Sequence, residues 1–276
     1  MSTVLGIDLG TQSVKIVFYD FDSRKTVAVE SAPLDLYQTE AGVAEQQAHW
    51  WIHAFRQALQ KVGNDIRNSI VAIGVSGQQH GFVPIDDTGE VLAPVKLWCD
   101  TSTGAECDAI TDAFGGVDAC IAEVGNPVLP GYTASKVRWF RDAKPGRYAQ
   151  MDSILLPHDY LNFYLTGERC MEAGDASGTG FLDIRTRQWS EKMLAAIDPD
   201  RDLRECLPDV RLGNEPVGVL LPTIAEELGL PAGVPVSIGG GDNMMGAIGT
   251  GNVSPGVVTV SLGTSGTVYA YADQPI

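Results

Sequence analysis

Apolar and polar positions alternate at the start of this chain, shift to helical spacing, and alternate again near its end. In residues 3–20, Val4, Leu5 and Ile7 precede a Gly10-Thr11-Gln12-Ser13 turn, and Val14 to Tyr19 follow it. That pattern predicts a β-hairpin, with a third strand over Lys25–Glu30 completing an antiparallel trio. Between residues 45 and 62, Ala48, Trp51, Ile52, Phe55, Leu59 and Val62 recur at helical spacing, while His49, His53, Arg56 and Gln60 fall off the stripe. A helix follows, with both histidines facing solvent. Ile70 to Val75 is a short continuous apolar run, as in a buried strand, and it ends in Ser76-Gly77-Gln78-Gln79-His80-Gly81. Open α/β sheets place ligand contacts at such carboxyl ends. A second hairpin turns at Asp86-Asp87-Thr88-Gly89 and returns through Val91 to Trp98.

Residues 101–215 carry helix-like segments near 104–114, 134–142, 157–165 and 190–197, separated by Gly- and Pro-rich loops, which predicts a helical insertion plus sheet. Thr223 and Glu226 offer a capping box and Gly229 a stop for a short helix. Pro235 to Ile238 is the next strand; it runs into Gly239-Gly240-Gly241-Asp242-Asn243, with a helix starting near Met244. Strands alternating with helices after an antiparallel opening argue for a mixed α/β domain.

The opening hairpin has a second copy. Residues 6–20 read GIDLGTQSVKIVFYD and residues 259–273 read TVSLGTSGTVYAYAD, sharing Leu9/Leu262, Gly10/Gly263, Thr11/Thr264 and Asp20/Asp273. Two such glycine turns can surround one polyphosphate with backbone N–H groups and hydroxyls.

Bulk properties narrow the classes. The 276 residues are 44% hydrophobic and 20% charged, ordinary for a globular chain with ample core. A net charge of −16 repels nucleic acid and anionic membranes unless a basic patch overrides it. The densest basic stretch, Lys136 to Arg141, reads as one helix face, so neither partner is expected. No apolar run approaches the ~20 residues of a membrane span, and no signal pattern opens the chain. The five scattered cysteines (Cys99, Cys107, Cys120, Cys170, Cys206) include no Cys-x-x-Cys, which leaves a reducing cytoplasm as the default.

Four places can carry chemistry. Asp8, at the end of the first strand, can hold Mg²⁺ through water while the Gly10–Ser13 backbone meets phosphate, or it can simply cap a tight turn. Its counterpart in the repeat is Ser261. Asp242 follows three glycines at a strand-to-helix junction; it can take a proton from an attacking hydroxyl, or it can N-cap the helix. Gln78, Gln79 and His80 can both donate and accept hydrogen bonds, which suits sugar hydroxyls, although a lone histidine is more often structural. Trp98 and Asp100 combine an aromatic face with a carboxylate, as in a sugar pocket or a buried core, while Cys99 reads as an inert thiol.

Eight segments then occur in a familiar order: GIDLGTQSVK, SGQQHG, LWCD, GNPVLPGYTASKVRWF, LLPHDYLNFYLTG, DASGTGFLD, GGGDNMMGAIGTG and SLGTSGTV. In these the chain resembles the FGGY carbohydrate kinases, and among them the members that act on xylulose. The resemblance implies a ribonuclease-H-like, actin/hexokinase-type α/β fold with two lobes around an ATP cleft. It implies transfer of the ATP γ-phosphate to a sugar hydroxyl, with D-xylulose giving D-xylulose 5-phosphate. Position by position, Asp8 and Gly10, Thr11, Gln12 and Ser13 match the first phosphate element, with Mg²⁺ near Asp8. Gly263, Thr264 and Ser265 match the second, Asp242 the catalytic base, Asn243 a neighbouring sugar contact, and Gln79 and His80 the sugar loop. His158 departs from the lysine found before Asp-Tyr-Leu in many relatives.

The resemblance places residues 1–255 in the sugar-binding, catalytic-base domain and 256–276 at the start of the ATP-binding domain. The adenosine site is then expected outside these residues, so the chain alone should bind sugar yet be catalytically incomplete. It also allows a homodimer. Kinases for ribulose or glycerol, and an actin-like ATPase without sugar chemistry, are the alternatives.

Overall fold

The opening hairpin forms where alternation ends in glycine. In the structure, a computed structural model that describes residues 2–213, 215–262 and 266–273, β1 (Thr3–Leu9) pairs antiparallel with β2 (Ser13–Asp20) from Thr3↔Asp20 to Leu9↔Val14. The Gly10 N–H donates to the Ser13 carbonyl at 3.1 Å and closes the turn. β3 (Lys25–Pro33) completes the trio. The helix α1 (Ala48–Gln60) packs on β2 and β3, burying Trp51, Ile52, Phe55 and Leu59 and leaving His49 and His53 exposed. Each large apolar side chain so buried contributes roughly 1.5–3 kcal/mol.

β4 (Ile70–Gly77) lies parallel to β1, with Asp8 opposite Ser76 and Leu9 opposite Gly77. Three helices of the insertion, α2 (Gly104–Phe114), α3 (Val117–Val124) and α4 (Thr133–Ala143), come next, followed by α5 (Pro157–Thr166) and α6 (Glu191–Ile197). The insertion has its own core around Ile110, Val137, Phe140, Phe181, Met193 and Ile197, whereas α5 packs on β4. α3 was not expected: it is bounded by Gly116 and Gly125, and its eight residues are too few for a clear period.

β5 (Pro216–Val219) leads to α7 (Pro222–Leu228) and β6 (Pro235–Ser237). The expected capping box at Thr223 is not formed. Pro222 takes the first helical position and Leu221 the cap, because a residue without an N–H and with fixed φ suits that place. Gly229 does end the helix, at φ 64°. The sheet runs β5-β6-β4-β1-β2-β3, and a two-residue β7 (Gly240–Gly241) also pairs with β4, Gly240 opposite Ser76 and Gly241 opposite Gly77. Asp8 and Gly240 thus flank Ser76, which brings the carboxyl ends of three strands together. Gly239 permits this convergence: at φ +69°, a Cβ there would sit 1.8 Å from the Val75 carbonyl.

α8 (Asp242–Gly249) begins two residues earlier than Met244. The second hairpin is β8 (Val258–Leu262) and β9 (Gly266–Ala270), antiparallel, with Leu262 opposite Gly266. Its expected phosphate residues Gly263, Thr264 and Ser265 lie outside the described residues. Among the described residues no helix is long and apolar enough to cross a membrane.

Candidate functional site

At the converging strand ends lies a cleft of about 390 Å³ lined by Thr11, Gln79, His80, Trp98, Asp242, Asn243, Ser261 and Thr267. A larger concavity of about 640 Å³ beside Arg138 and Arg141 lies elsewhere, and both guanidiniums there are engaged with the Ile197 carbonyl.

The first turn is fixed from beneath by amides. Gln46 donates through Nε2 to the Thr11 carbonyl at 2.8 Å, and its Oε1 accepts from Trp51 Nε1 at 2.9 Å and Gln78 Nε2 at 3.0 Å. Thr11 Oγ1 donates to Gln78 Oε1 at 3.0 Å and accepts from the Trp98 indole at 2.9 Å. Gln78 is therefore a buried brace of the turn. The Thr11 hydroxyl is thus engaged on both sides, and the Gly10 N–H is taken by the Ser13 carbonyl. Trp98 keeps 41% of its surface exposed, so its ring presents an aromatic face to the cleft.

Asp242 is the first residue of α8 rather than its cap; Gly241 holds the cap position. Its Oδ1 accepts the Asn243 N–H at 2.7 Å. Burial pushes its pKa up to about 6; that N–H opposes the rise, and the charges of Asp8 and Asp175 add to it. Burial likewise raises Asp8, against the pull of Lys15. Among the described residues no group of three or more His, Cys, Asp or Glu could hold a metal ion.

His80 sits at φ 62°, a left-handed conformation rare outside glycine. Its carbonyl accepts from Lys136 Nζ at 2.8 Å and Thr133 Oγ1 at 3.2 Å, and its ring stands 4.9 Å from that of Tyr132. Burial pushes the imidazole down to about 4, Lys136 adding to the effect and Asp175 opposing it. A neutral ring that can both donate and accept results at pH 7. Gln79 Oε1 accepts from Asn243 Nδ2 at 3.0 Å, and Asn243 Oδ1 accepts from Thr267 Oγ1 at 3.2 Å, linking the second hairpin to the sheet end.

Two expectations are corrected. Asp100 does not reach the cleft: it is fully buried, accepting from Lys96 Nζ at 3.0 Å, the Ala44 N–H at 2.9 Å and Ser102 Oγ at 2.6 Å. A carboxylate two residues from an exposed Trp98 lies beyond a tight turn, and the ammonium of Lys96 draws it inward. The basic stretch is not one helix face: Lys136 is fully buried and also donates to the Gly131 carbonyl at 2.7 Å, while Arg138 and Arg141 are half-buried. The sequence carried a sign of this, since Thr133, Lys136 and Phe140 share one helical stripe. Asp175 and Thr267 carry no sequence signal for the site, because each meets it only through folding.

The model of the "FGGY family of carbohydrate kinases, N-terminal domain" matches residues 3–249. The chain belongs to that family. Among curated relatives, it is 44% identical to a xylulose kinase of Haemophilus influenzae over 279 residues, covering 99% of this chain and 57% of that protein. It is 36% identical to a xylulose kinase of Escherichia coli, covering 98% and 54%. Among solved structures, a xyloylose kinase from Brucella ovis superposes with a TM-score of 0.89 at 36% identity, over 97% of this chain and 54% of that one. The FGGY chain thus spans about half the length of the curated relatives it matches. Its sheet is the ribonuclease-H-type sheet of the actin/hexokinase class.

Proposed function

We propose that this FGGY protein takes part in ATP-dependent phosphorylation of a ketopentose, D-xylulose to D-xylulose 5-phosphate, with Asp242 as the general base. One observation carries the reading: a carboxylate with a pKa near 6 lines the same cleft as Gln79, His80, Asn243 and the face of Trp98. A base poised near the working pH is partly free to accept a proton while keeping enough basicity to pull it.

In this reading the sugar stacks on Trp98, and Gln79, Asn243 and neutral His80 order its hydroxyls. Asp242 Oδ1 is held by the Asn243 N–H, which leaves Oδ2 to take the proton of the attacking hydroxyl. The Gly10–Ser13 backbone receives phosphate oxygens, joined by Gly263, Thr264 and Ser265. The donor set fits Mg²⁺, which is held by one or two carboxylates plus water and phosphate rather than by an all-protein cage. Asp8 would hold it through water, and the ion would neutralise charge on the transferring group. Residues 1–255 then form the sugar domain and 256–276 belong to the nucleotide domain. The xylulose reading rests on the relatives' names and on this cleft.

Calorimetric titration with D-xylulose, D-ribulose and glycerol tests it. Selective heat with D-xylulose is expected. Preference for glycerol would replace the substrate, and ATP hydrolysis by the full-length protein that ignores all three sugars would overturn the sugar-kinase reading.

A further inference from the structure

Behind the cleft, a line of polar contacts descends into the core. His158, at the start of α5, is fully buried, as are Asp159 and Asp175. Its Nδ1 lies 2.7 Å from Asp175 Oδ2, and its Nε2 lies 3.0 Å from Asp159 Oδ1. Gln79 Nε2 lies 3.5 Å from Asp175 Oδ1, the outer limit of a hydrogen bond, and 3.5 Å from Met244 Sδ. Gln79 in turn meets Asn243.

Local structure serves this placement. Glu172 accepts the N–H groups of Gly174 at 2.8 Å and Asp175 at 2.9 Å, fixing the turn that carries Asp175. Asp159 accepts the Leu156 N–H at 3.2 Å, which leaves its other oxygen toward His158. Gly77 makes room: a Cβ there would lie 3.0 Å from the Cβ of His158. Asn162, one turn along α5, donates to the Ile238 carbonyl at 2.7 Å and ties this helix to the turn that delivers Asp242.

Burial raises the Asp159 carboxyl, and its Oδ1 makes no hydrogen bond to His158 Nε2, so Asp175 is the bonded partner. An imidazole between two buried carboxyl groups favours a positive charge, because an isolated ion is costly there. Burial opposes that charge, yet Asp159 and Asp175 outweigh it and hold His158 well above the ordinary histidine range. An amide is ambiguous in itself, since its oxygen and nitrogen occupy similar volumes. An ionised Asp175 accepts only, so together with the Asn243 Nδ2 that donates to the Gln79 oxygen at 3.0 Å it favours the orientation with the Gln79 nitrogen turned inward.

We propose that His158 is a positioning residue: its buried imidazolium holds the Asp175 carboxylate in place, and Asp175 fixes the Gln79 amide that faces the sugar. The sugar-binding consequence rests on the proposed function; the orientation of Gln79 does not. Without that partner, Asp175 Oδ2 would lose the ring N–H held 2.7 Å away, and the carboxylate that orients the amide would no longer be fixed.

The test compares the full-length protein with His158→Gln, which removes the charge, and His158→Lys, which restores one. The first readout is the Gln79 side-chain NH₂ pair in ¹⁵N-correlated NMR, assigned by its loss in Gln79→Ala. Slow exchange is expected in the native protein, exchange at least about tenfold faster in His158→Gln, and recovery in His158→Lys. The second readout is D-xylulose affinity, expected to fall about tenfold and to recover with lysine. Unchanged exchange in a folded His158→Gln protein overturns the inference, and equal loss in both variants overturns the role of charge. If no sugar binds the native protein, the kinase reading fails while the NMR comparison still decides this one. Should His158→Gln not fold, the near-isosteric Asp175→Asn is expected to give the same two losses, and native exchange in it would contradict the inference.

Discussion

The two hairpins share a turn sequence and differ in everything around it. In the first, Leu5, Ile7, Leu9, Val14, Ile16 and Phe18 are buried to within 2%. In the second, Val258, Val260, Leu262 and Val268 are exposed by 55–85%. Both make antiparallel ladders, with Leu9 opposite Val14 and Leu262 opposite Gly266. Alternation and glycine therefore specify the hairpin, while burial comes from what packs on it, here β3, β4 and α1 against the first. Chemistry divides the same way: Asp8 stands where the second hairpin has Ser261, so the carboxylate is supplied from one side.

This contrast can be broken at graded strengths. Phe18→Ala should cost the fold about 3–5 kcal/mol by denaturant titration, through lost burial and a residual cavity. A loss below about 1 kcal/mol would mean that the first hairpin is not the packed one. Thr11→Val leaves the Gln78 amide oxygen and the Trp98 indole without their shared partner. It should cost about 1–3 kcal/mol, mostly from the buried Gln78, whereas Ser261→Ala, on an exposed strand, should be nearly silent. Val268→Ala should change stability by no more than about 0.5 kcal/mol in these 276 residues. A larger loss would show that the second hairpin is covered in solution.

Much of the frame was readable before folding, for reasons visible in particular residues. The stripe from Ala48 to Leu59 is wide and strictly periodic, so α1 and its two exposed histidines followed from it. Gly239 to Asp242 announced a strand-to-helix junction because few other residues tolerate that crowding. Asp100 misled because local sequence places it beside Trp98 while its partner, Lys96, decides where it points. Lys136 misled through its charge, which says surface, while its helical phase says core. The pairing of His158 with Asp175 spans 17 residues, that of Gln79 with Asp175 spans 96, and that of Gln79 with Asn243 spans 164. No local pattern encodes such separations, so the line of contacts behind the cleft appears only once the strands converge.

The pH dependence follows from the same convergence. As the proposed base, Asp242 would have to be ionised to accept a proton, and burial pushes its pKa up to about 6. Turnover should therefore fall as pH drops through about 6 and level off above it. A profile flat down to pH 4 would exclude Asp242 as the titrating base.

The most direct measurement is turnover and D-xylulose affinity of Asp242→Asn in the full-length protein, made side by side. Asparagine keeps the shape and loses the proton acceptor, so the account predicts a fall in kcat of about 10²–10⁴ with sugar affinity retained. Near-native kcat would contradict it and send the search for the base to another side chain of the cleft.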